Sequence, residues 1–113
     1  MSTPAIQIIF NSDGTTSFSP SPQMALFSDL VFWNNQTQEN HWPWPTDSNY
    51  NPQATGWFPA PVPPGETSGD YATPPQPPPP PTPPAPQTIY YYCKAHPLRI
   101  SERGAITVVS SLP

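Results

Sequence analysis

Proline constrains this chain more than any other residue. There are 22 prolines in 113 residues, and each removes a backbone donor and clashes with a preceding helical turn. Ten of them fall between Pro74 and Pro86, where repeated proline can neither enter a helix nor donate to a ladder and therefore takes polyproline II geometry. That stretch, about residues 74–87, reads as a proline-rich insertion and not as a core element. On either side lie four Trp, five Tyr and five Phe, with apolar residues in short runs, so the remainder can pack. No window holds a helical period over three turns, which leaves an all-β chain of short strands.

Ile6, Ile8 and Phe10 alternate with Gln7 and Ile9, Asp13-Gly14 supplies a turn, and Thr16 to Phe18 returns as the second arm of a hairpin. Met24 to Phe27 and Leu30 to Trp33 are further β-rich runs, the latter apolar on both faces and therefore central in its sheet. From Asn34 to about Pro64 the chain is polar and proline-punctuated, a long loop region carrying Trp42, Trp44 and Trp57. Gly65 to Thr73 reads as a weak strand. Thr88 to Cys93 is the clearest strand, Ala105 to Val109 the second clearest, and Arg99 to Gly104 connects them. A chain of this length has room for one domain, spanning 1–113, and strands this short, with turn signals between them, form a β-sandwich.

Only 9% of residues are charged, three basic against seven acidic. No Lys or Arg cluster exists to neutralise phosphates, which excludes nucleic acid as a partner. No run approaches the roughly 20 apolar residues of a membrane span, and Met1-Ser2-Thr3-Pro4 lacks the basic-then-apolar pattern of a signal peptide. A surface rich in Ser, Thr, Asn, Gln and Pro suits an extracellular, cell-surface or periplasmic setting. Neither a Ser, His, Asp series nor a glycine-rich phosphate loop is present, so the chain does not read as an enzyme.

Cys93 is the only cysteine, so there is no internal disulfide, and the residue is left as a buried thiol, an intermolecular link or a metal ligand. His96 follows three residues later, and the one other histidine, His41, also lies where a strand gives way to a loop. Two imidazoles and a thiolate form the ligand set of a trigonal copper site. With a water they would also satisfy catalytic zinc, but no carboxylate stands beside them in sequence to act as a base.

At these residues the sequence resembles the cupredoxins, the small blue-copper proteins. Ser28-Asp29-Leu30-Val31-Phe32-Trp33-Asn34-Asn35 is similar to the family strand leading to the first histidine ligand, and Pro64-Gly65-Glu66-Thr67-Ser68 to its Pro-Gly-Glu-Ser turn. Tyr91-Tyr92-Cys93-Lys94-Ala95-His96-Pro97 followed by Gly104-Ala105-Ile106-Thr107-Val108 is similar to its closing signature. The resemblance implies a Greek-key β-sandwich holding one copper ion through His41, Cys93 and His96, and single-electron transfer between Cu(I) and Cu(II) with a redox partner protein. By the same resemblance, Asn34 or Asn35 would hydrogen-bond across to the Cys93 loop. Asn35-Gln36-Thr37 also fits a glycosylation sequon.

Two features depart from the family pattern. One is the proline-rich insertion. The other is the absence of methionine from Pro97 to Arg103, where the family carries a weak axial ligand. Leu98 or Ile100 is expected to fill that position without bonding the metal, with a backbone oxygen or Glu102 as lesser alternatives. A lost donor would favour Cu(I) and raise the potential. The competing reading is an extracellular structural or assembly subunit, self-associating through the proline-rich segment and the aromatic loops, with the copper site secondary or absent.

Overall fold

The computed structural model describes residues 4–76 and 85–111. Most of the proline run, 77–84, lies outside the described residues, and with it the expected polyproline II geometry and its contacts. The described residues contain eight strands: β1 Ala5–Phe10, β2 Thr16–Ser19, β3 Gln23–Leu26, β4 Leu30–Asn35, β5 Pro43–Thr46, β6 Tyr71–Ala72, β7 Gln87–Cys93 and β8 Arg103–Val109. A single 3-10 turn, Ile100–Glu102, precedes β8. The strands form two four-stranded sheets, ordered β2-β1-β4-β6 and β3-β8-β7-β5. This is the all-β sandwich expected from the sequence.

The β1–β2 hairpin closes where predicted. Gly14 takes a φ of 90°, which favours glycine, and Asp13 Oδ1 accepts the Thr15 amide at 3.0 Å. The chain then changes sheets repeatedly, so that β1 pairs parallel with β4 and β3 parallel with β8. Alternation along the strands places Ile6, Ile8, Val31 and Trp33 of one sheet against Tyr91, Cys93, Ile106 and Val108 of the other, all fully buried. Tyr91 packs edge-on against Phe18 and Trp33, with ring centroids 4.8 and 5.2 Å away. Opposite Tyr91 in the ladder stands Gly104, where an added Cβ would come within 2.4 Å of the Tyr91 ring. Only glycine leaves room there.

Two elements differ from expectation. The stretch read as loop contains β5, whose Pro43 and Pro45 disguise it; both are tolerated because β5 is an edge strand, pairing only with β7. The weak strand expected over Gly65 to Thr73 contracts to β6, two residues paired with Leu30 and Val31. Its upstream part meets β4 at the Asn34–Thr67 bridge and through backbone hydrogen bonds of Gly65 and Glu66 with Asn35 and of Ser68 with Trp33, without forming a continuous strand.

Candidate metal centre

At one end of the sandwich, ligand atoms of His41, Cys93, His96 and Glu102 lie within 4.8 Å of one another. The three residues singled out from the sequence are thus brought together, and a carboxylate joins them.

Each arrives by a different route. Cys93 is the last residue of β7. The β5–β7 ladder pairs it with Pro43, and Trp42 just upstream donates its amide to Cys93 Sγ at 3.3 Å while its carbonyl accepts the Lys94 amide at 2.9 Å. The ladder therefore ends on the sulfur atom. His41 is held by a two-way backbone bridge to Val62, with N···O distances of 3.1 and 2.7 Å. Beyond Cys93 the chain makes three tight turns, in which the amides of His96, Arg99 and Glu102 donate to the carbonyls of Cys93, His96 and Arg99 at 3.2, 3.1 and 3.0 Å. These turns direct Glu102 inward and leave Leu98 and Ile100 in solvent, 92% and 72% exposed. Neither can occupy an axial position, which corrects the expectation from sequence. Spacing alone does not say which residue after His96 faces in; the short 3-10 turn decides it. Of the methionines, Met24 lies exposed on β3 and Met1 is outside the described residues.

His41 is fully buried, and its Nε2 lies 2.9 Å from Thr37 Oγ1. That hydroxyl donates to Asn35 Oδ1 at 2.7 Å, so it accepts from His41 Nε2–H, which leaves Nδ1 as the ring atom that faces the cluster. Nδ1 stands 3.7 Å from Cys93 Sγ and 3.2 Å from Glu102 Oε1. Nδ1 of His96 stands 3.5 Å from the same sulfur and 2.9 Å from the same oxygen. The other carboxylate oxygen of Glu102 accepts from Thr16 Oγ1 and from Arg99 Nη1, the latter at 3.1 Å. Arg99 in turn grips Glu39 with two nitrogens at 2.8 and 3.1 Å.

Asn35 braces the histidine loop and does not cross to the Cys93 loop as the resemblance implied. Its amide donates to the Glu39 and Val62 carbonyls at 2.7 and 3.0 Å, and its oxygen accepts from the Thr37 amide at 2.9 Å. Asn34 instead donates to Gln7 Oε1. With the Asn35 side chain fully buried and engaged, the sequon offers no free amide in the folded protein. Among the loop tryptophans, Trp57 stacks on Tyr71 at 4.2 Å and on Trp33 at 5.5 Å, while Trp44 carries the Lys94 ammonium 3.5 Å above its ring. These rings help to close the fold around themselves.

Electrostatics separate the two acidic groups. Burial pushes the Cys93 thiol up to about 11, opposed by the Trp42 amide bond and reinforced by the Glu102 charge. Burial acts the same way on Glu102, but hydrogen bonds from His41, Thr16, Arg99 and His96 outweigh it and hold the carboxyl well below the usual carboxylate range. A protonated thiol in such a place gives up its proton when a metal cation replaces it. Two imidazole nitrogens, a sulfur and a carboxylate oxygen converging on one point fit a copper ion.

No family model matches this sequence, and no curated protein matches it. Solved structures do. The chain is similar to a purple cupredoxin from Nitrosopumilus maritimus, with a TM-score of 0.69 and 20% identity, covering 93% of this chain and 98% of that one. It is also similar to a reduced Cu(I) form of an amicyanin mutant, with a TM-score of 0.63 and 14% identity over 94% of this chain and 81% of that one. A pseudoazurin from Sinorhizobium matches at a TM-score of 0.60 and 18% identity over 100% of this chain and 76% of that one. The protein has the cupredoxin fold, as the resemblance in its sequence implied.

Proposed function

We propose that this protein is an electron carrier that binds one copper ion through His41, Cys93 and His96. The observation that supports this most is the convergence of those three side chains at one end of a cupredoxin sandwich, with His41 Nδ1 and His96 Nδ1 at 3.7 and 3.5 Å from Cys93 Sγ. Copper bound there would supply one-electron chemistry, Cu(I) to Cu(II). The chain's own residues supply rigidity. Cys93 is fixed in the β7 ladder, and His41 is fixed by Thr37, Asn35 and Val62. Donors held this firmly keep one arrangement in both oxidation states, which lowers the reorganisation that each transfer requires.

His96 is the point of access, since it alone of the three ligand side chains is partly exposed, at 19%. Beside it, Phe10, Leu98 and Ile100 stand exposed and with Arg99 line a cleft of about 700 Å³. Exposed apolar groups of this kind, carried on the turn that follows His96 and mixed with Glu39 and Arg99, suit a redox partner protein. An extracellular or periplasmic setting agrees with the sparse charge of the chain.

The test is electron counting. Protein loaded with one equivalent of Cu(II) should bleach on one equivalent of a one-electron reductant and recolour on one equivalent of oxidant over repeated cycles. Bleaching that cannot be reversed, or a requirement for two electrons, would contradict the assignment.

A further inference from the structure

We infer that Glu102 is a fourth ligand to the copper through Oε1, and that this carboxylate poises the centre toward Cu(II). The inference deepens the reading above and rests on it.

Position comes first. Oε1 lies 2.9 Å from His96 Nδ1 and 3.2 Å from His41 Nδ1, the two nitrogens that also face Cys93 Sγ. It therefore shares their point of convergence. The side chain is fully buried, and its orientation is set from outside the cluster. Oε2 is held by Thr16 and by Arg99, and Arg99 is anchored on Glu39. A carboxylate with one oxygen clamped and the other turned to metal-type donors has the arrangement by which outer contacts orient a metal ligand. A role limited to structure would be met by the Thr16 and Arg99 bonds, and would not require the second oxygen to be buried among two imidazoles and a thiol.

Charge gives the direction. A thiolate and a carboxylate together neutralise Cu(II) and leave a net negative charge around Cu(I), and uncompensated charge is costly in a buried site. Carboxylate oxygen also suits Cu(II) better than the soft monovalent ion. Both effects favour Cu(II). This is the opposite of the direction expected if Leu98 or Ile100 capped the metal.

The test compares the full chain with Glu102→Gln, both loaded with copper. The variant should keep an intense thiolate-to-copper absorption, shifted in energy, lose about tenfold or more in Cu(II) affinity, lose far less in Cu(I) affinity, and show a higher reduction potential. Identical spectra and potentials in the two proteins would overturn Glu102 ligation while leaving His41, Cys93 and His96 in place. No thiolate absorption in the wild type would overturn both readings together. X-ray absorption at the copper edge of the wild-type Cu(II) protein decides the matter even if the variant fails to fold. One sulfur with three nitrogen or oxygen neighbours supports the inference, and one sulfur with two overturns it.

Discussion

His41 and His96 face the same sulfur atom from opposite circumstances. His41 is fully buried, bridged through its backbone to Val62 and through its ring to Thr37. His96 sits on the turn after β7, with its side chain 19% exposed and its ring against Glu102 and Glu39. One histidine belongs to the core and the other to the surface. On the proposed reading, in which a rigid centre exchanges electrons with a partner, the buried histidine supplies the rigidity and the exposed one the access. The division also means that the two positions should fail differently when altered.

The largest difference is expected in stability without metal. His41→Ala empties a fully buried site and leaves the Thr37 hydroxyl without its ring partner, costing about 3 kcal/mol, whereas His96→Ala, at a partly exposed side chain, should cost about 1 kcal/mol. Urea unfolding of the two metal-free variants measures this, and equal losses would break the comparison. Both variants should lose the copper colour, but added imidazole should restore it only in His96→Ala, because only that gap opens to solvent.

Cys93 stands with His41 on the buried side, and its raised thiol makes metal-free stability depend on pH. The unfolded thiol ionises near its ordinary value of 9.0 while the folded one holds its proton to about 11. Above pH 9 the folded state thus binds more protons than the unfolded state, and stability falls as pH climbs. The contribution is fully present below pH 9 and is lost through about pH 11, as thermal unfolding across that range should show. Cys93→Ser should show a shallower decline that begins at higher pH, the remainder coming from Tyr91 and Tyr71, whose phenols burial also pushes up. Copper uptake near neutral pH should release the thiol proton, measurable in weak buffer.

Smaller still is Thr37→Val, which keeps the volume and removes the hydroxyl from His41 Nε2 and Asn35. A loss of about 1 kcal/mol is expected, with weakened copper binding. Leu98→Met marks the lower limit. With its side chain in solvent, the reduction potential should not move, and a drop would show that the turn after His96 can bring residue 98 onto the metal.

Much of this arrangement is legible in the sequence where side-chain period and ladder coincide. The hairpin of β1 and β2, the Thr88 to Cys93 strand and its partner all follow from alternation and turn residues, and the two histidines and one cysteine stand out because no others exist. β5 is hidden because its prolines signal loop unless the strand is known to lie at an edge, which is a fact about the sheet. Glu102 ranks below Leu98 and Ile100 in the sequence for a similar reason. It lies six residues beyond His96, and only three successive turns place it beside residues that belong to β7 and to the loop before β5. Asn35 could be marked as important, but the carbonyls it reaches depend on how the Val62 segment folds back on His41.

The most direct test of the copper assignment is a Cu(II) titration followed by visible absorption and electron paramagnetic resonance, run in parallel on the wild type and Cys93→Ser. The wild type should saturate at one equivalent with intense thiolate-to-copper absorption, and the variant should fold but show no such band. A colourless wild type, or a variant with the same spectrum and affinity, would contradict a copper centre built on His41, Cys93 and His96.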